Sequence, residues 1–227
     1  MRNPTVCFIF IALVAGLALA WTPAAHALTY GFSGITNDPL SSNDDHNVSI
    51  GESQLFMSIE AVGSNQVRFI FHNKGPHASV VEEIYFDTPD QALLEDLASA
   101  EFEYIAVSDA LSFAVNDRNP NLPGGNTIGF DESFSAYAKA PAPRNGIDPG
   151  EQLGILFDLV GTATYQDVIN ALESGNLRVG LHVIAYADGG SESFVNNTTP
   201  VPLPATIWLL GAGLTTMIAS RMRRGRR

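Results

Sequence analysis

The sequence has a single cysteine, Cys7, which lies in an apolar stretch near the N-terminus. No disulfide can therefore form within the 173 residues from 28 to 200. Stability in that region must come from a buried core, and its length is sufficient for one domain with a sizeable core. An exported protein without disulfides is ordinary in bacteria but unusual among small secreted eukaryotic domains.

Basic residues are scarce in the same region. Residues 28–200 hold six cations against all 24 acidic residues of the chain, a net charge of −18. Phosphate binding depends on basic patches, so this composition argues against nucleic acid as a partner. An acidic surface is compatible with divalent cations, with solubility and with repulsion from anionic polymers, and it does not choose among them.

The common catalytic motifs are missing as well. The sequence contains no H-E-x-x-H, no G-x-S-x-G and no pair of cysteines,. His72 and His77 lie five residues apart across a Gly-Pro turn, a spacing that does not by itself predict a zinc site. His182 shares a predicted strand face with Arg178 and Tyr186, which we interpret as a solvent-facing polar stripe. We therefore expect no enzymatic activity.

Paired carboxylates could act as acid and base on a glycan. The candidates are Glu82 with Glu83, and Glu101 with Glu103. Because successive side chains of a strand point to opposite faces, Glu82 and Glu83 are predicted to lie on opposite sides of a sheet. We interpret both pairs as solvated strand faces, and a glycan-active enzyme stays the less favoured alternative.

Calcium is the one cofactor for which the sequence offers candidates. Asp38, Asp44 and Asp45 place hard oxygen ligands within one predicted loop. Their spacing does not match an EF-hand, and loops are rich in Asp and Asn because these residues form turns. A carbohydrate- or calcium-binding surface adhesin is therefore kept as an alternative function.

Hydrophobic patterning predicts a mainly β domain over residues 28–190. Residues 55–61 and 67–72 form a predicted hairpin in which Val67, Phe69 and Phe71 face inward. Several further short strands are separated by turn residues, with no regular alternation of strand and helix. We expect an antiparallel β-sandwich, because that fold lets many one-sided strands bury their apolar faces.

Four other segments complete the predicted domain, and a linker follows it. Short helices are expected at 89–100 and at 165–173, the second with Thr164 as N-cap and Asp167 in a capping box. Residues 28–50 read as an edge strand followed by a loop. Residues 177–186 form the clearest strand, and its apolar face consists of Leu177, Val179, Leu181, Val183 and Ala185. Residues 191–200 are interpreted as a polar linker.

The N-terminus has the pattern of a secretory signal peptide, assigned to residues 1–27. Arg2 precedes an apolar stretch at residues 6–20, and Ala25-His26-Ala27 has the small-x-small form that signal peptidase cuts. We expect export with cleavage after Ala27. A retained N-terminal anchor is the alternative.

The C-terminus predicts one transmembrane helix. Residues 204–220 carry no charge and would span roughly 25 Å as a helix, just enough for a bilayer core. Trp208 suits the membrane interface, and the positive-inside rule places the following cations in the cytoplasm. These cations are Arg221, Arg223, Arg224, Arg226 and Arg227. On this pattern alone, a plain membrane anchor is an equally good interpretation.

The whole segment 201–227 resembles a known sorting signal. Its parts are a proline motif, a short Gly-containing apolar helix and a terminal arginine cluster, in the order found in the VPLPA variant of the PEP-CTERM family. The motif residues are Val201, Pro202, Leu203, Pro204 and Ala205. Leu203 replaces the glutamate of the commonest form of the motif.

The resemblance implies a fate for the protein and leaves the activity of residues 28–190 open. Proteins of this family are substrates of an exosortase, a membrane-embedded enzyme that cuts near the proline motif. The expected source is a Gram-negative bacterium, and the expected partners are signal peptidase, an exosortase and an exopolysaccharide. The protein would be tethered to the inner membrane during sorting, then held at the cell envelope or released outside the cell.

Overall fold

The computed structural model describes residues 27–36, 44–88, 93–95, 100–105, 110–116 and 121–201. The strands are β1 Leu28–Gly34, β2 Leu55–Val62, β3 Gln66–Asn73, β4 Val80–Asp87, β5 Glu101–Tyr104, β6 Phe113–Asn116, β7 Phe134–Ala138, β8 Gln152–Asp158, β9 Arg178–Ile184 and β10 Glu192–Pro200. The helices are α1 Asp44–Gln54, α2 Ala142–Asn145 and α3 Tyr165–Ser174, with a 3₁₀ turn at Gly125–Ile128.

All ten strands belong to one antiparallel sheet with the order β5-β8-β3-β2-β1-β10-β9-β4-β7-β6. The predicted mainly β, antiparallel fold is confirmed. A β-sandwich has two separate sheets. Here the sheet is continuous, because β1 pairs with β10 and connects the two halves. It folds over its own apolar face, and its two ends meet where the Phe113 amide donates to the Tyr104 hydroxyl across 3.1 Å.

The core between the two halves of the sheet is centred on Phe86 in β4. Its ring contacts four other phenylalanine rings at centroid distances of 5.0 to 6.2 Å. These neighbours are Phe69 and Phe71 in β3, Phe134 in β7 and Phe157 in β8. Since β3 and β8 lie far from β4 in the strand order, these contacts hold the folded-over sheet together.

The predicted hairpin is confirmed as β2 and β3, which pair from Leu55 with Asn73 to Val62 with Gln66. Its predicted inward side chains are all buried, as are the first four members of the predicted β9 face. Ala185 departs from that face because its φ of 58° is left-handed and breaks the alternation,. Ala185 is therefore exposed, and Tyr186 turns into the core.

The predicted second helix is confirmed as α3. The Thr164 hydroxyl accepts from the Asp167 amide, and the Asp167 carboxylate accepts from the Thr164 amide, which completes the capping box,.

The other predicted helix, at 89–100, is wrong for those of its residues that the structure describes. Residues 93–95 are not helical, because Leu94 forms an isolated β-bridge with Leu159. Residues 89–92 and 96–99 lie outside the described residues.

Residues 28–50 were predicted to form an edge strand and a loop, and both parts of this prediction are wrong. β1 lies inside the sheet, between β2 and β10. The loop contains α1, a polar helix that shows no regular apolar stripe to reveal it,. Gly51 lets this helix sit directly on β10, since a Cβ there would overlap the ring of Phe194.

The polar linker expected at 191–200 is also wrong, because these residues form β10. Two of its polar side chains, those of Glu192 and Asn196, are buried and find partners inside the fold. The Thr36 hydroxyl donates to a Glu192 carboxylate oxygen across 2.7 Å, and Asn196 accepts from the Val179 amide, also across 2.7 Å. Such bonds offset the cost of removing polar groups from water, so a polar segment can occupy the centre of a sheet.

Candidate functional site

The two ends of the described domain lie side by side. β1 starts at Leu28 and runs antiparallel to β10, with Tyr30 opposite Pro200. The Val201 amide then donates to the Thr29 carbonyl across 2.6 Å. The predicted signal-peptidase site and the predicted sorting motif therefore adjoin the domain at the same place.

Most of the predicted sorting residues lie outside the described residues. Of the signal-peptidase site Ala27 is described and Ala25 is not, and of the motif only Val201 is described. The others are Pro202, Leu203, Pro204, Ala205, Arg221, Arg223, Arg224, Arg226 and Arg227. Within the described ranges, no helix has the length and apolar character needed to cross a membrane.

The segment predicted as a calcium-binding loop is partly helical. Asp44 and Asp45 begin α1, and Asp38 lies outside the described residues. Across the described part of the chain, no group of three or more His, Cys, Asp or Glu side chains is placed to hold a metal ion.

A β-bulge in β4 brings together two carboxylates that the sequence was expected to separate. Val81 pairs with Val183 and Glu83 pairs with His182, so Glu82 is an extra residue in β4. A bulge interrupts the alternation of side chains. The carboxylates of Glu82 and Glu83 consequently approach the same His182 Nδ1, at 3.5 and 3.7 Å, and the prediction of opposite faces is wrong.

We call Glu82, Glu83, Tyr85, Glu132 and His182 the Glu-His cluster. Burial raises the pKa of Glu82 and that of Glu132, and the attraction of His182 does not offset this for Glu82. Burial also acts to raise the pKa of Glu83, but bonding to His182 and Tyr85 outweighs it, and the net direction is downward. The cluster thus holds carboxyl groups whose pKa values are displaced in opposite directions.

Two buried serines lie on the same face of the sheet as this cluster. Ser135 in β7 is the cross-strand partner of Tyr85, and Ser193 in β10 is the partner of His182. Both serines have no exposed surface. The Ser193 hydroxyl has no hydrogen-bond partner among the described residues, whereas bonding of the Ser135 hydroxyl to Glu132 acts to lower the pKa of that carboxyl. Unsatisfied buried polar groups are rare in folded proteins and call for an explanation.

The neighbouring part of this face is covered, so the predicted solvent-facing stripe of Arg178, His182 and Tyr186 is wrong. Residues 121–131 cross it, and Leu122 and Phe130 pack on Tyr85. Arg178 connects this segment to the sheet. Its Nε donates to Asp87 across 2.9 Å, and its Nη1 donates to the Ile128 carbonyl across 2.8 Å. The Glu-His cluster lies along the margin of this cover.

The other predicted pairs do not form sites. His72 bonds Ser58 through Nε2 at 3.0 Å, whereas His77 is exposed and its ring lies 6.3 Å from that of His46. Glu103 accepts a 2.9 Å bond from Arg68, and Glu101 is exposed.

No family model, curated protein or solved structure matches this chain.

His72 makes the stability of the fold depend on pH. Burial, with Lys74 nearby, lowers the pKa of His72 to about 4, below its ordinary value of 6.5. The unfolded chain therefore takes up this proton first, and we expect stability to fall as the pH drops from about 6.5 towards 4. Denaturant titrations of the wild type and of His72→Gln should diverge over this window. The exposed variant His77→Gln is the control and should follow the wild type; parallel wild-type and His72→Gln curves would contradict the prediction.

Proposed function

We propose that this is an exported, non-enzymatic protein that an exosortase sorts through residues 201–227. In this proposal the segment 204–220 is a transmembrane helix that holds the domain at the inner membrane until processing. The mature domain then resides at the cell envelope or in an extracellular polysaccharide matrix. The acidic charge of −18 on residues 28–200 and the resemblance of the terminal segment are consistent with this role.

The observation that supports the proposal best is the contact between the two ends of the domain. The Val201 amide bonds the Thr29 carbonyl two residues beyond the expected cleavage point. A domain with adjacent ends can be attached to one membrane surface by both segments at once, without strain in the sheet. Cleavage of each segment would leave the paired strands β1 and β10 intact.

Replacement of Pro202 and Pro204 by alanine should block processing in a host that has the cognate exosortase. The physical reason is that proline cannot continue a helix and keeps the motif extended, as a protease substrate must be. Intact mass and a C-terminal epitope tag would report whether the tail is retained. The matched control is Pro200→Ala, which removes one proline outside the motif and should be processed normally. Removal of the tail from the double variant at the normal rate would refute the sorting proposal.

A glycan-active enzyme is the second candidate, because the β-bulge places Glu82 and Glu83 at one histidine. Glycosidases use two carboxyl groups with different pKa values. Hydrolysis of a panel of glycans that is lost in Glu82→Gln and Glu83→Gln would favour this candidate over the non-enzymatic role. The adhesin alternative would be favoured by a rise in the melting midpoint with Ca²⁺.

A further inference from the structure

We propose that the Glu-His cluster binds a primary ammonium group, with Glu82 and Glu83 as the groups that contact it. This inference does not depend on the sorting proposal. It rests on the charges at the cluster, on the buried Ser193 hydroxyl beside it and on the exposure of its carboxylates.

The cluster contains three carboxyl groups. Glu83 is near enough to both Glu82 and Glu132 for their charges to interact. Among the described residues, His182 is the basic side chain that pairs with Glu82 and Glu83, and its Nδ1 lies 3.5 and 3.7 Å from the two carboxylates. Arg178 does not help, because it is bonded to Asp87 and to backbone carbonyls.

A buried serine beside the cluster also lacks a partner. Ser193 is fully buried and lies opposite His182, and its hydroxyl has no hydrogen-bond partner among the described residues. A serine hydroxyl can donate to a carboxylate or accept from a cation. The Ser193 hydroxyl thus lies next to the cluster with a hydrogen bond that no described residue completes.

The exposed carboxylates of the cluster restrict the kind of ligand that can bind there. The side chains of Glu82 and Glu83 are 28% and 23% exposed, so a group in solution can reach them. Carboxylates accept hydrogen bonds and repel anions, which excludes acidic polymers. A metal ion is disfavoured because no three-ligand group is placed for it in the described ranges. A primary ammonium supplies three N–H donors and one positive charge, which match two acceptors and an uncompensated negative charge.

Two sources carry this group: an amino sugar and a lysine side chain. The test therefore uses a glucosamine trisaccharide and trilysine, each beside its N-acetylated form. Calorimetric titration of the full-length chain in detergent micelles should show binding of at least one free amine. Acetylation should weaken that binding about tenfold or more, because it removes the charge and two donors. This comparison uses the wild type alone and is unaffected by any folding defect of a variant.

Variants then locate the binding. Glu82→Gln/Glu83→Gln should weaken binding of the free amine about tenfold or more. Glu95→Gln/Glu101→Gln is the matched control, since it removes the same charge from two exposed residues, and it should stay within about twofold of the wild type. Binding of the trisaccharide alone identifies the amino sugar as the source, and binding of trilysine alone identifies lysine. Absence of binding, equal binding of acetylated forms, or equal loss in both double variants would overturn the proposal.

Discussion

Replacement of Phe86 by alanine should lower the free energy of unfolding by about 3–5 kcal/mol, the range for removal of a fully buried phenylalanine. Phe86 has no exposed surface and contacts four other buried rings. Its removal would open a cavity between the two halves of the sheet. The surrounding rings belong to three different strands, so they cannot all move inward to fill it.

The control for this prediction is Phe56→Ala, which deletes the same side chain from a partly exposed position. Phe56 packs under the Lys74 ammonium, 4.0 Å from the ring centroid. A cation–π contact of this kind contributes about 0.5–1 kcal/mol at exposed sites, so the loss should be clearly smaller. Urea titrations measure both variants. Equal losses would show that Phe86 is not the centre of the core.

Replacement of Arg178 by alanine should cost about 3–5 kcal/mol as well, for an electrostatic reason. The side chain of Asp87 is only 3% exposed, and Arg178 is the cation bonded to it. Without Arg178 the Asp87 carboxylate is buried and unpaired, and the carbonyls of Ile128 and Gly129 lose their donor. The segment 121–131 should then detach from the sheet.

A double-mutant cycle tests this explanation. Arg178→Ala/Asp87→Ala removes the uncompensated charge and should be more stable than Arg178→Ala alone. Arg144→Ala removes an exposed cation from α2 and should change stability by no more than about 0.5 kcal/mol. Additive losses in the double variant would contradict the pairing.

The parts of the fold that could be predicted from the sequence are those with strong periodic signals. The hairpin β2–β3 alternates over its whole second strand, and α3 combines an apolar stripe with a capping box at Thr164 and Asp167. Each of these signals is local, so neighbouring residues suffice to predict the element. The mainly antiparallel β fold follows from counting such segments.

The parts that could not be predicted depend on distant residues. β10 is polar, and it is a central strand because Thr36 and the Val179 amide satisfy its side chains. α1 has almost no hydrophobic periodicity, and its position depends on the close contact of Gly51 with Phe194. The continuity of the sheet depends on the pairing of β1 with β10. No local sequence pattern indicates this pairing.

The candidate site shows the same limit. The residues Glu82, Glu83 and His182 could all be singled out as titratable groups. Strict alternation of side chains predicts that the two glutamates lie on opposite faces of the sheet. This prediction fails because a β-bulge adds an extra residue to the strand. The register of β4 against β9 supplies that information, since Glu83 and not Glu82 lies opposite His182.

The position of β10 determines when the domain can fold. β10 is the last of the described strands, yet it lies in the middle of the sheet between β1 and β9. Until residues 192–200 are available, the strands on either side have no ladder to connect them. Contacts between such distant parts of a chain are slow to form because the loop between them must first close. A nascent chain would therefore hold two unjoined groups of strands, and the sheet would be completed only when the residues next to Val201 have arrived.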